Sequence, residues 1–474
     1  MIAKKSKDIK TLFEAKGGGI SRAREALSGV SALVVGIAST GVSCARFLRK
    51  CGADVVATDS RPAEEIPEVD GLKALGVKIT AGGHEGVDLN PTGLVIVSPG
   101  VPYNIPLLAA ARQAGAHVIS DIELAYLFID SPIVAIAGTN GKTTTTTLIG
   151  EMLKDAGIRA FVGGNIGRPV IEFVESDAGA AVVVLEISSF HLETTRTFNP
   201  HIAVLLNITE DHLDRYDSFE HYAETKFRLF ENHTRSDYAI VNVNDPLIAG
   251  RIREKGIGNG SLVPFTVAGG LAEGLSLKGD AILYRRGKEM AEVYPAAGFG
   301  LRGLHNMENI MASIAAARIS GVGQESILRT LKGFKGLGHR MELVREIDGV
   351  EYVDDSKATN IGAVMMALKG IAGPVILIAG GKDKGGDYRV MNELIRKKVR
   401  LLILLGEARP KIRDAFSGLT DIVMVNTLKD AVRVAGSKAK PGDTVLLSPA
   451  CSSFDMFKSY KDRGEKFRQE VNSL

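Results

Sequence analysis

Tryptophan is absent from the 474 residues and aromatic residues make up only 6% of them, so the chain offers no stacking platform for single-stranded nucleic acid. Charge of one sign is lacking too. Lys and Arg total 58 against 55 Asp and Glu, a net +3 spread along the chain, unlike the clustered basic excess of a nucleic-acid binder. Three cysteines, Cys44, Cys51 and Cys451, without any Cys-x-x-Cys spacing, suggest neither a disulfide framework nor a zinc site. No apolar run approaches the roughly 18 residues that span a bilayer. The lysine-rich start is interrupted by Asp8, Glu14 and Gly17-Gly18-Gly19 before any signal-like apolar stretch. Membrane insertion is not expected, and the chain is expected to remain in the cytoplasm.

Length points instead to several cores, with three domains the central expectation. Short runs of Val, Ile and Leu recur between longer helical stretches: Ala32 to Ile37, Asp54 to Thr58, Leu94 to Val97, Ile133 to Ala137, Val182 to Ile187, Ala203 to Asn207, Val375 to Ala379, Leu401 to Leu405 and Thr444 to Leu447. Continuous apolar runs rather than strict alternation indicate strands covered on both faces, the pattern of α/β folds with mostly parallel sheets. Seams are expected around Phe128 to Pro132 and at the glycine-rich Gly333 to Gly338, which divides the chain into 1–128, 129–336 and 337–474. Residues 1–30 read as a short helical leader without assignable chemistry.

The first strand runs into Gly36-Ile37-Ala38-Ser39-Thr40-Gly41, and Asp59 closes the next strand. This nearly spells a dinucleotide fingerprint, but the middle glycine is Ala38, whose methyl group crowds a pyrophosphate. An altered nucleotide mode is expected, with N–H groups of Ser39, Thr40 and Gly41 facing a diphosphate and Asp59, Ser60 and Arg61 placed to read a ribose or base. Ser98-Pro99-Gly100 ends another strand and is expected at the same crevice. In the middle third, Gly138-Thr139-Asn140-Gly141-Lys142-Thr143-Thr144 links a strand to a helix. Consecutive N–H donors at a helix start, a lysine ammonium and a hydroxyl for Mg²⁺ are what an ATP phosphate loop requires. The strand ending at Glu186 and the segment Asn207 to Asp214 carry oxygen and imidazole ligands, so Glu186 and His212 are candidates for metal ions bridging the phosphates. Lys226 lies in a helical stretch and by pattern reads as a surface lysine.

Together with Gly164-Asn165-Ile166-Gly167 and His305-Asn306-Met307-Glu308-Asn309, these motifs resemble the Mur ligase family from about Ala32 onward. The segments Gly338-His339-Arg340, Asp354 to Asn360 and Leu447 to Asp455 are similar to its D-glutamate-adding branch. The resemblance implies a Rossmann-like N-terminal domain for a UDP-linked substrate, a central phosphate-loop ATPase domain with a mostly parallel sheet, and a C-terminal Rossmann-like domain bringing the amino acid. It implies ATP, UDP-N-acetylmuramoyl-L-alanine and D-glutamate as substrates, an acyl-phosphate intermediate, two Mg²⁺ ions, and a monomer. On that resemblance Lys142, His212 and Lys226 are catalytic, and Thr143, Glu186, His212 and a CO₂-carbamylated Lys226 hold metal. Asn165 and His212 touch the UDP-linked substrate; Asn306, Asn309, Arg340 and Asp355 surround ATP; Lys357, Thr359, Lys384, Ser453, Phe454 and Tyr460 form the D-glutamate pocket. A hinge is expected at Gly333 to Gly338. Three alternatives remain at this point: a relative of different amino-acid specificity, an oxidoreductase built on Gly36, Gly41 and Asp59, and a non-catalytic nucleotide switch. The oxidoreductase leaves the Lys142 loop unexplained, and the switch leaves Glu186 and His212 unexplained.

Overall fold

The structure is a computed structural model that describes residues 9–90, 92–213, 215–287, 291–301 and 303–474. Asp214 of the acidic segment and the first eight residues of the leader lie outside the described residues. Among the described residues the strands form three sheets, of five, nine and six strands.

The apolar runs of the first third become a wholly parallel sheet in the order Lys78–Ala81, Asp54–Asp59, Ser31–Val35, Leu94–Val97, His117–Ser120. Chain direction across the sheet reverses between Ser31–Val35 and Leu94–Val97, which opens a crevice at their carboxyl ends. The Gly36 turn and Ser98 meet there. The Ser98 hydroxyl donates to Gly36 O at 2.8 Å, and a side chain at Gly36 would collide with Val101 and Ser98.

The second sheet carries six parallel strands, Ala160–Gly164, Val182–Glu186, Ile133–Ala137, Ile202–Leu205, Tyr238–Asn242 and Ser261–Thr266. Their inner members are buried along their whole length, as continuous Val and Ile runs demand. Gly274–Lys278 then joins the edge in parallel and starts an antiparallel arm through Ala281–Arg285 and Glu292–Pro295. That arm escaped the sequence reading because its strands make no continuous buried run, Ala281–Arg285 alternating between buried and half-buried positions. The third sheet is parallel through Val350–Asp354, Thr444–Leu447, Val375–Gly380, Val399–Leu405 and Asp421–Met424, with Glu342–Ile347 antiparallel at its edge. No described helix is long and apolar enough to cross a membrane.

The first two domains are welded. Fully buried Glu123 accepts from the amides of Arg196, Thr197 and Phe198 and from the Thr197 hydroxyl. Buried charge is tolerated only where donors surround it, and four converge here. The leader reinforces the same seam. Its Arg22 guanidinium donates to the carbonyls of Leu12, Ala15, Gly17 and Leu127, and the Gly18 amide meets the Asp130 carboxylate. The described part of the leader is thus a strap over residues 127–130.

Candidate functional site

The carboxyl ends of Ile133–Ala137, Val182–Glu186 and Ile202–Leu205 lie side by side, and each delivers part of the site. The first continues into the phosphate loop. Gly138 (φ 147°) and Gly141 (φ 88°) adopt conformations that side chains disfavour, and a Cβ at Gly141 would stand 2.2 Å from Asn309 Oδ1. Asn207 splints the loop, accepting from the Asn140 amide at 2.8 Å and donating to its carbonyl at 3.1 Å. Thr139 is fixed likewise, its hydroxyl donating to Thr209 O at 3.1 Å and lying 3.0 Å from the Tyr222 hydroxyl.

Two lysines converge on one carbonyl. Lys142 Nζ donates to Gly138 O at 2.7 Å and Thr139 O at 2.8 Å, while Lys226 Nζ donates to Gly138 O at 3.1 Å and lies 4.5 Å above the Tyr222 ring. Lys226 is 1% exposed, which corrects the reading of it as a surface lysine: the helix Phe219–Phe227 turns that face under the phosphate loop. Burial first, and then the charge of Lys142, pushes its pKa well below the ordinary lysine value. Burial also lowers that of Lys142, against the pull of Glu186 and Asp211.

Glu186 is 2% exposed. Its Oε1 accepts from Asn165 Nδ2 at 2.8 Å, but its Oε2 is buried without a hydrogen-bond partner. An orphaned carboxylate oxygen beside a phosphate loop is the donor a divalent cation would satisfy. His212 sits nearby in a left-handed turn (φ 56°), its ring against Phe190 and 3.7 Å from Asp211.

The C-terminal domain closes on this edge. Asp211 accepts from Asn360 Nδ2 at 3.0 Å and pairs with Lys384 at 3.4 Å. Burial works against the charge of Asp211, yet Lys384, His212 and Asn360 win and hold its pKa below the usual carboxylate range. A cavity of about 220 Å³ between the domains is lined by Asn140, Gly141, Asn309, Arg340, Asp355 and Lys357, so the expected ATP residues from two domains do meet. Asn306 stands behind, accepting from Asn309. Burial raises Asp355 to about 7 despite hydrogen bonding from Ser448 and the charge of Arg340. Burial, reinforced by Arg340, lowers Lys357 to about 8.

The remaining expected residues are more dispersed. Lys357 Nζ donates to the Tyr460 hydroxyl at 3.3 Å, and Ser453 is buried. Lys384 lines a second cavity with Asp211 and His212, whereas Phe454 is 71% exposed. Thr359 donates its amide to Lys357 O. In the first domain Asp59 does not stand open, because it accepts from the Ile37 amide, the Arg61 amide and the Arg61 guanidinium. Burial opposes its charge, but those bonds dominate and lower it to about 2.

Arg215 was not singled out by the sequence. Its guanidinium stacks on Phe190 at 3.7 Å, donates to Pro99 O at 2.7 Å and Val101 O at 2.9 Å, and pairs with Glu193 at 2.7 Å. It ties the Ser98 turn to the His212 loop. Three residues after His212 in sequence, it carried no signal beyond that neighbourhood.

With the geometry in view, comparison with known proteins is informative. The sequence matches the Mur ligase MurD-like N-terminal domain over residues 30–120, the Mur ligase middle domain over 136–317, and the Mur ligase glutamate ligase domain over 339–451. A UDP-N-acetylmuramoylalanine--D-glutamate ligase from Geobacter metallireducens is 49% identical over 450 residues, covering 94% of this chain and 98% of the relative. One of the same name from a Geobacter species is 47% identical over 443 residues, covering 93% and 97%. Among solved structures, a pseudomurein peptide ligase type C from Methanothermus fervidus superposes with a TM-score of 0.60 at 21% identity, over 94% of this chain and 99% of that one. A MurF ligase from Thermotoga maritima in complex with ADP gives 0.56 at 16% identity, over 98% and 99%. These structures share the fold.

Replacing Gly141 by alanine forces a methyl group onto Asn309 in a backbone conformation that disfavours it. The expected result is at least tenfold weaker binding of a fluorescent ATP analogue, measured by titration. The same change at Gly157, also at positive φ but with open space around it, should leave that affinity unaltered.

Proposed function

The chain belongs to the Mur ligase family, and from that premise we propose that it joins D-glutamate to UDP-N-acetylmuramoyl-L-alanine, consuming ATP, in the synthesis of peptidoglycan precursors. The observation that carries the reading is the convergence of Lys142, Lys226 and the orphaned Glu186 oxygen on the phosphate-loop edge, beneath Arg340, Asp355 and Lys357 of the C-terminal domain.

A carboxylate resists attack by an amine because its charge is delocalised and oxide is a poor leaving group. The alanyl carboxylate therefore attacks the γ-phosphorus of ATP, forming a carbon–oxygen–phosphorus linkage and releasing ADP. The D-glutamate amine then attacks the acyl carbon, phosphate departs with the bonding electrons, and the nitrogen loses its proton. Lys142 and Arg340 supply positive charge where the phosphoryl oxygens become most negative. Enclosure between domains keeps water from the acyl phosphate.

Mg²⁺, when bound, screens the phosphate oxygens. The donor set fits it: the Thr143 hydroxyl, Glu186, His212 and Lys226 as its carbamate would hold two ions. A lysine adds to CO₂ only as the neutral amine, and the lowered pKa of Lys226 supplies that form. Carbamylation then replaces a second ammonium beside Lys142 with an anionic ligand.

The UDP-linked substrate lies in the first crevice, against Ser39, Thr40, Gly41, Asp59, Ser60, Arg61 and the Ser98-Pro99-Gly100 turn, with Asn165 and His212 at its reactive end. Lys357, Thr359, Lys384, Ser453, Phe454 and Tyr460 form the D-glutamate pocket, whose ammonium and hydroxyl donors suit its two carboxylates. Domain divisions at 128/129 and 336/337 accord with the sheets, which span 31–120, 133–295 and 342–447. It acts as a monomer, in the cytoplasm where ATP is available.

The reading is tested by phosphate release from Mg-ATP with UDP-N-acetylmuramoyl-L-alanine. Turnover is expected with D-glutamate and not with L-glutamate, L-alanine or diamino acids; turnover with one of those instead would overturn the specificity. A pH profile probes Lys357. With a pKa of about 8 its ammonium is present below that pH and lost above it, so kcat/KM for D-glutamate should fall about tenfold per unit above pH 8. Lys357→Arg, charged throughout, should flatten that limb.

A further inference from the structure

The seam between the first two domains contains a second basic cavity, of about 420 Å³, distinct from the phosphate loop. That size is within the range of small-molecule sites. Its walls come from the end of the helix Pro106–Gln113, the start of the strand His117–Ser120, the segment Glu193 to Arg196, and Arg228. Three guanidinium groups line it with one carboxylate, Glu193, and that carboxylate is turned to Arg215 at 2.7 Å.

The three arginines are held by uncharged groups. Arg112 packs 3.5 Å from the Tyr103 ring and donates to Tyr103 O at 2.9 Å. Arg228 donates to the carbonyls of Glu193 at 3.3 Å and Thr195 at 2.7 Å. Arg196 lies against the Nδ1 of His117, a ring stacked on Phe13 of the leader. Arg112 and Arg196 enter no ion pair among the described residues, and Arg228 has only the half-exposed Glu231. The Nε of Arg112 is buried without an acceptor, and that of Arg228 faces only the Glu231 carboxylate, at 3.3 Å.

A guanidinium presents five donors in a planar fork suited to oxyanions, and buried donors without acceptors are costly. We infer that this seam cavity is an anion site for phosphate-class oxyanions, held by Arg112, Arg196 and Arg228. It is built from both welded domains, so occupancy neutralises charge at the joint that carries the Arg215 tie. The inference does not rest on the ligase reading, because neither amino acid nor UDP-linked substrate enters it.

The test is equilibrium dialysis of the full chain against radiolabelled inorganic phosphate at low ionic strength, where screening is weak. Expected is one saturable phosphate that survives in Lys142→Ala and weakens at least tenfold in the double variant Arg112→Ala/Arg196→Ala. Absence of binding, binding lost in Lys142→Ala, or binding unchanged in the double variant would each overturn it. Should the double variant fail to fold, the wild-type chain labelled at arginine Nε decides. Added phosphate should shift arginine Nε–H resonances that are missing from the Arg112→Gln or Arg228→Gln spectra, and an equal ionic strength of chloride should not. Uridine monophosphate as competitor separates the sources: displacement assigns the site to phosphate esters, and no displacement to free phosphate.

Discussion

Two lysines donate to a single buried carbonyl, Gly138 O, and the rest of the site follows from that crowding. Two ammonium groups so close, one 1% exposed, repel each other where water cannot screen them. Burial and the charge of Lys142 push the Lys226 pKa well below the ordinary lysine value, and burial lowers that of Lys142 as well. An unpartnered, buried Glu186 oxygen on the same loop edge is otherwise a liability. It becomes useful where phosphates and divalent cations gather, which is what the adjoining loop is shaped to hold.

The domains are joined with different firmness. Between the first two, Glu123 buries its bonds to residues 196–198, the Gly18 amide meets Asp130, and Arg215 carries the connection from the Ser98 turn to the His212 loop. The C-terminal domain meets the same edge through fewer and more polar contacts, Asp211 with Asn360 and Lys384 among them. Polar contacts of this kind exchange for water at little cost, whereas the Glu123 cluster cannot. The glycine-rich stretch from Gly333 onward, after the helix Gln324–Gly333, leads into this more lightly held domain.

Much of this was legible in the sequence. Continuous Val, Ile and Leu runs marked the inner strands, and the strand, glycines and Lys-Thr-Thr marked the phosphate loop, because both signals are local. The burial of Lys226, a residue the family resemblance had singled out, was not legible in periodicity, since it is set by the packing of Tyr222 under a loop some eighty positions earlier in the chain. The Asp211 to Asn360 contact spans 149 positions and left no trace in periodicity, although both residues lay in motifs that the family resemblance had drawn attention to. The edge arm Gly274–Pro295 was missed because single-faced strands do not make apolar runs. Asp59 and Arg61, expected to read a ribose or base, pair with each other, and Asp59 also accepts from the Ile37 amide, contacts that chemistry permits but spacing alone does not announce.

The proposed carbamylation of Lys226 beside Lys142 is open to one direct measurement. The protein is equilibrated with ¹³C-labelled bicarbonate and its carbonyl region recorded by ¹³C NMR. A slowly exchanging carbamate resonance that is absent from Lys226→Ala is expected. No such resonance in the wild-type chain, or one that persists in Lys226→Ala, would contradict it.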